Sequence, residues 1–231
     1  MGDIPDWDPV IYDPASLELP FWIPDNNESR ADYAAYLTTF SRLDQGVGLF
    51  IKEFEKRGLL NNTLIYLTSD NGEPFPTSKT NFYEQGQIEP YMISVPDLWS
   101  QSNNNGPIFS DQIVTALDLV PTVLDWCKIS YPKQTLNGIN IDLTGNSLLP
   151  LVNSLANDQD DEDMDTLNGA EYVYGSYNIH EITMYYPMRV IRDSQYRLIH
   201  NLEYNSVFHL ATDLYWAPTW QQILNCTKGK C

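Results

Sequence analysis

The chain has 231 residues, 42% of them hydrophobic, and its 31 acidic residues against 13 basic ones leave a net charge of −18. That composition suffices for a sizeable core in one domain, or one large domain with an appendage, and excludes the disordered and collagen-like classes. So acidic a chain repels polyanions at long range and carries no basic stripe, so no nucleic acid is expected as a partner.

Residues 1–27 form an irregular, acidic, proline-rich lead-in. It has neither the basic start nor the apolar stretch of a signal peptide. Asp6 stands where a myristoylation signal needs Ser or Thr. No apolar run approaches the roughly 20 residues of a spanning helix, so no membrane span is expected. From Glu28 to Gly58, Tyr33, Leu37, Phe40, Leu43, Val47, Phe50 and Phe54 recur every three or four residues. This spacing predicts one long amphipathic helix, capped by Asn27 or Ser29 at its start and by Gly58 at its end. Gly46 and Gly48 each weaken such a helix by about 1 kcal/mol relative to alanine, and close packing against a neighbour is the expected reason for them.

Short strands are predicted in Thr63–Ser69 and Pro90–Pro96, and the stretch from Thr63 to Gly86 reads TLIYLTSDNGEPFPTSKTNFYEQG. At the end of the first strand, Asp70-Asn71-Gly72 has two readings. As a plain Asx turn it needs nothing more, and Lys79 is then an exposed loop lysine. As a site, the Asp70 carboxylate and the Asn71 amide oxygen are hard donors suited to Ca²⁺ or Mg²⁺, and Lys79 holds an anion beside the metal. Gly72 lets the backbone turn sharply so that both side chains face one way. Carboxyl ends of strands are where open α/β sheets bind ligands.

From Ser110 to Lys128, Ile113, Leu117, Val120, Leu124 and Cys127 share one helical face, with Pro121 expected to kink or split the helix and Cys127 expected as an inert core thiol. The order helix, strand, loop, strand, helix predicts an α/β layer with a mainly parallel sheet. The acidic run Asn157–Asp165 fails the EF-hand pattern, since Asp163 stands where glycine is required, and reads as a solvated insertion. EYVYGSY, MRVIRDS and YRLIHNL then read as strands, the last two joined tightly around Asp193-Ser194, followed by a short helix in PTWQQILN.

His180-Glu181 begins like a zinc-protease motif, but Met184 replaces the second histidine and that reading is rejected. The two either bind a polar ligand just beyond a strand or share a structural hydrogen bond. Arg189, Arg192 and Arg197 read as exposed strand-face charges, and His200 and His209 as structural histidines. Cys226 and Cys231 are spaced to close a small loop in an oxidising compartment, which the spacing leaves open. Asn27, Asn61 and Asn225 head N-x-S/T triplets, which act as glycosylation sites only in the secretory pathway.

Six strings stand in the order found in the sulfatase family: SRLDQGVGLFIKEFEKRGLLNNTLIYLTSDNG, SDNGEPFPTSKTNFYEQGQIEP, ALDLVPTVLDW, LTGNSLLP, HEITMYYPMR and YRLIHNL. The longer strings are most similar to the family's sulfamidase branch. The resemblance implies an α/β, alkaline-phosphatase-like core with a mainly parallel sheet and flanking helices, incomplete here, plus a small C-terminal antiparallel element. Residues 1–170 would be part of the catalytic domain without its N-terminal half, and residues 171–231 the start of the smaller C-terminal subdomain. The implied activity is removal of N-linked sulfate from glucosamine at the non-reducing end of heparan sulfate, by a lysosomal enzyme with one Ca²⁺ that is a homodimer when complete.

Carried over residue by residue, Asp70 and Asn71 match two of the metal ligands. Lys79 falls where sulfatases place a basic residue on the sulfate, an arginine in the sulfamidase branch. His180 and Glu181 match a stretch near the sugar pocket. Family members act through a formylglycine made from the cysteine of Cys-x-Pro/Ser-x-Arg, and none of Cys127, Cys226 and Cys231 opens that pattern. Two expectations follow. The chain is part of a sulfamidase-like hydrolase and inactive by itself, or it is a short non-catalytic protein that binds a sulfated glycan or a full-length partner.

Overall fold

The computed structural model describes residues 7–96, 106–156, 170–180, 184–208 and 211–228, the side chain of His180 excepted. The acidic run, Glu181, His209 and Cys231 lie outside the described residues.

Helix α1 (Asn27–Lys56) begins where the Asn26 side chain, on an extended backbone, accepts the Ser29 N–H at 2.8 Å. The cap is therefore Asn26, one position before the expected start. The helix ends as expected at Gly58, which adopts φ +69. There the Gly58 N–H donates to the Glu55 carbonyl and the Leu59 N–H to the Phe54 carbonyl, both at 2.9 Å, which satisfies two otherwise orphaned helix-end acceptors. The lead-in straps onto this helix. Arg42 lies 5.0 Å over the Trp7 ring, and Arg30 donates to the Asp25 carboxylate and to the Leu17 carbonyl.

Two expectations for α1 are corrected. A Cβ added at Gly46 or Gly48 meets nothing within 4 Å, so close packing does not explain either glycine. Gly46→Ala and Gly48→Ala are expected to stabilise the chain by about 0.5–1 kcal/mol each, seen as a raised thermal midpoint. The apolar row is also only partly covered: Tyr33 and Tyr36 pack on Phe75, whereas Phe40, Leu43 and Phe50 are 48%, 57% and 61% exposed.

Strands β1 (Ile65–Thr68) and β2 (Tyr91–Ser94) form the sheet of the α/β layer. They run antiparallel, with Ile65 opposite Ser94 and Thr68 opposite Tyr91, against the expectation of a mainly parallel sheet. The physical reason is the connection. Residues 69–90 fold back as a wide loop with one 3-10 turn and no α-helix, whereas parallel neighbours are usually joined by a crossover helix. Behind β2, Val95, Leu149 and Ala156 form a small core with Leu64, Ile93, Trp126 and Val152 packed against it.

The long helix expected from Ser110 instead starts late. Residues 111–115 have no regular structure, Ala116–Asp118 is a 3-10 turn, and α2 runs Leu119–Trp126. Pro121 thus falls in the first turn, where its missing N–H removes no helical bond, and it neither kinks nor splits the helix. Cys127 caps α2 as an exposed free thiol, not a core residue. Buried Thr122 and Asp118 tie α2 to the segment before α3 (Leu149–Ala156): Leu148 N–H donates to Thr122 Oγ1 at 2.9 Å and Asn146 N–H to Asp118 Oδ1 at 2.8 Å. Between them lies a hairpin, β3 (Gln134–Leu136) and β4 (Ile139–Ile141), turning on Asn137 and Gly138 at φ 52 and 78.

The C-terminal part is a three-stranded antiparallel sheet of β5 (Val173–His180), β6 (Met184–Arg192) and β7 (Arg197–Asn201). Tyr186, Met188 and Val190 alternate along β6 and are buried. The β6–β7 turn closes on Asp193, whose carboxylate accepts the Gln195 and Tyr196 N–H groups. Helix α4 (Pro218–Thr227) then packs on α1. Asp32 of α1 accepts both the N–H (3.2 Å) and the Oγ1–H (2.7 Å) of fully buried Thr219, joining the two helices across 187 positions of sequence. Cys226, on α4, is disulfide-bonded.

Candidate active site

The loop from β1 to β2 is built on close contacts. Ser69 Oγ donates to the Asn71 carbonyl at 2.8 Å, and Asn71 Nδ2 to the Gly72 carbonyl at 2.9 Å. That leaves the Asn71 amide oxygen and the exposed Asp70 carboxylate as the acceptors at the strand's end. A Cβ at Gly72 would stand 2.4 Å from the Gln85 carbonyl oxygen and 2.8 Å from Gly86 Cα, so only glycine lets the turn lie on residues 85 and 86. Phe75 is 2% exposed and wedges against Tyr33 and Tyr36, each ring at 5.5 Å, which seats the loop on α1. Ser78 is fully buried and donates to the Gln85 carbonyl at 2.6 Å.

Lys79 sits between two strained residues. Thr77 and Thr80 have φ 70 and 65, a left-handed backbone that β-branched side chains rarely adopt, at a cost of about 1–3 kcal/mol each. The Lys79 N–H donates to the Glu73 carbonyl at 3.1 Å, and its own carbonyl accepts from Thr80 Oγ1. Its ammonium pairs with the Asp213 carboxylate, in the 3-10 turn Thr212–Leu214. That contact holds the Asp213 carboxyl below the usual carboxylate range. The C-terminal sheet grips the far side of the loop. Arg192 and Arg197, 22% and 21% exposed, reach Glu84 at 3.3 and 3.8 Å, so these two are not the open strand-face charges expected. Arg189 is exposed and donates to Asn178.

Glu73 Oε2 is buried without a hydrogen-bond partner among the described residues, and burial pushes its carboxyl up. Glu89 is pushed up by burial first and then by the charges of Asp70 and Glu73. Burial and the Glu73 charge also push Tyr36 up to about 12. A carboxyl whose folded pKa lies above its unfolded one stabilises at low pH and loses that contribution as pH rises through the folded value. Glu73→Gln is therefore expected to raise the thermal midpoint at pH 7, with the advantage over wild type shrinking as pH falls to the ordinary carboxylate range.

Of the residues expected at the site, Asp70, Asn71 and Lys79 share this one loop. His180 ends β5 opposite Met184, while its side chain and Glu181 lie outside the described residues. Asn27, Asn61 and Asn225 are all exposed. Sequence reading missed Asp213, which has no motif around it and lies 134 positions from Lys79. It also missed Phe75 and Ser78, which look like ordinary loop residues. An open apolar hollow of about 380 Å³, lined by Ala211, Thr212, Tyr215, Trp216, Trp220 and Leu224, contains none of the expected site residues. Among the described residues no group of three or more His, Cys, Asp or Glu is arranged to hold a metal, and no helix is long and apolar enough to cross a membrane.

The strand that runs into the Asp-Asn-Gly turn and the braced loop that carries Lys79 both fall inside one family match. The Sulfatase family model matches residues 14–129, and the chain belongs to that family. The protein is similar to human N-sulphoglucosamine sulphohydrolase, 42% identical over 98% of this chain and 42% of the human protein. It is 28% identical to an N-acetylglucosamine-6-O-sulfatase of Bacteroides thetaiotaomicron, over 71% of this chain and 27% of that one. A solved 2-O GAG sulfatase superimposes with a TM-score of 0.57 and 21% identity over 88% of this chain and 42% of its own, which places the fold among the alkaline-phosphatase-like α/β architectures of sulfatases. The chain thus spans well under half the length of these relatives.

Proposed function

We propose that this chain carries part of a sulfatase site whose substrate is an N-linked sulfate at the non-reducing end of heparan sulfate. The supporting observation is the likeness to human N-sulphoglucosamine sulphohydrolase, which extends over 98% of this chain. Asp70 and Asn71 would hold Ca²⁺. Their oxygens are the hard donors that ion takes, and the use of Asn71 Nδ2 on Gly72 leaves the amide oxygen for it. Together they supply at most three of the roughly six to eight oxygens it needs, the rest coming from water or other protein groups. When bound, the ion polarises sulfate oxygens and offsets their charge.

Lys79 would receive a sulfate oxygen as a point charge, without the two-pronged grip of arginine. Its braced backbone limits where that charge sits. His180 and Glu181 would face the sugar. No covalent step is assigned to these residues, because none of the three cysteines opens a Cys-x-Pro/Ser-x-Arg sequence and nucleophilic catalysis needs a positioned nucleophile. The compartment this reading implies is the lysosome, and the assembly of the whole protein a homodimer.

The test is to incubate the 231-residue chain with an N-sulfoglucosamine-terminated disaccharide, measuring binding by calorimetry and free sulfate by ion chromatography. The expected result is binding that Lys79→Ala abolishes, with no sulfate released by this chain by itself. Sulfate release would overturn the inactivity, and absence of binding would overturn the site. A second reading, a non-catalytic protein that binds a sulfated glycan or a full-length partner, predicts that adding the remaining part of the human relative restores no hydrolysis.

A further inference from the structure

The Lys79 ammonium is fixed at both ends of its side chain. At the backbone end, Thr77 and Thr80 hold left-handed conformations on either side, and the Lys79 carbonyl accepts from both Thr80 Oγ1 at 2.6 Å and Asn81 Nδ2 at 3.2 Å. At the far end stands Asp213. The turn that carries it is locked by Ala211 and Leu214, 1% and 3% exposed, and helix α4 just beyond is fastened to α1 through Asp32 and Thr219. The Lys79 side chain is 25% exposed and that of Asp213 is 56%, so the pair is open to a solute. The other cations that reach this loop, Arg192 and Arg197, are turned onto Glu84 and away from such a role.

We propose that Asp213 is the positioning residue of the anion subsite, holding the Lys79 ammonium in place before the sulfate arrives. The inference rests on the reading of Lys79 as the sulfate-binding cation. An ammonium carries three N–H donors, and with one given to Asp213 two remain for sulfate oxygens. A free lysine has four rotatable bonds to freeze when it meets its anion, and a lysine already tethered loses less freedom at that moment. The C-terminal part of the chain therefore completes a subsite whose other members lie on the β1–β2 loop. A carboxylate that merely competed with sulfate for Lys79 would act in the opposite direction.

The experiment follows the Lys79 ammonium by NMR in the 231-residue chain labelled at lysine Nζ and Cε, the signal being assigned by its loss in Lys79→Arg. N-sulfoglucosamine is titrated in, with unsulfated glucosamine as the control. Wild type is expected to show a Lys79 shift with the sulfated sugar alone. Asp213→Asn is expected to weaken that binding about fivefold, the scale of one long side chain ordered on association, and Asp213→Glu to restore it to within about twofold.

Equal or tighter binding by Asp213→Asn overturns the proposal and leaves Lys79 as the sulfate ligand. A wild-type Lys79 signal that ignores the sulfated sugar overturns both. Should Asp213→Asn fail to fold, relaxation of the ligand-free wild type decides. The Lys79 ammonium is expected to be restrained relative to that of exposed Lys52 on α1, and equal mobility overturns the proposal.

Discussion

Phe75→Ala is expected to cost about 3–5 kcal/mol, the largest effect of any single substitution in the loop. The ring is 2% exposed and lies 5.5 Å from both Tyr33 and Tyr36, so its removal leaves a void that two aromatic neighbours on a rigid helix do not close. In urea, the midpoint should fall with the slope unchanged, because the surface exposed on unfolding is nearly the same. At about 2–4 °C per kcal/mol for a chain of this size, the thermal midpoint should drop by about 6–20 °C. A second consequence separates this from a general loss of core. Phe75 is what seats the Lys79 loop on α1, so ligand binding at Lys79 should weaken even well below the new midpoint. A drop under 1 kcal/mol would show that the loop does not depend on α1.

Gly72→Ala is the second large effect, through space and not through backbone angle. Its Cβ would meet the Gln85 carbonyl oxygen at 2.4 Å, Gly86 Cα at 2.8 Å and Ser78 Oγ at 2.8 Å, two of them backbone atoms that have no rotamer to change. Overpacking of this kind costs about 1–3 kcal/mol or more, and the bond from buried Ser78 to Gln85 is the one most directly strained. A lowered midpoint in thermal unfolding checks it. Gly46→Ala and Gly48→Ala are the matching controls, since the same added methyl group in open space on α1 should move the midpoint upward.

The parts of this fold that were legible in the sequence are those set by neighbours in the chain. The apolar spacing from Tyr33 to Phe54 and the glycine at position 58 announce α1, and the Asp-Asn-Gly turn announces Asp70 and Asn71 at the end of a strand. Strand direction was not legible, because whether β2 runs with or against β1 is decided by the path of residues 69–90. The effect of Pro121 depends on its position: near the start of a helix it is harmless, and only the late start at Leu119 shows that it is near the start. The Asn137-Gly138 pair carries a readable hairpin signal, since both central positions of such a turn need positive φ. Asp213 could not have been found. An ion pair over 134 positions leaves no periodicity, and nothing around Asp213 distinguishes it from any other surface aspartate.

The clasp between Asp32 and Thr219 also sets a schedule. A ribosome adds roughly 5–20 residues per second, so the 187 positions between them separate synthesis of α1 from that of its C-terminal partner by roughly 10–40 s. Through that interval α1 is finished but lacks its α4 partner, and the Asp32 carboxylate has no Thr219 to accept from. Contacts of such long range are formed last and slowly, after their loop has been closed. Truncation before Pro218 should therefore leave α1 permanently without this clasp, seen as a lowered thermal midpoint.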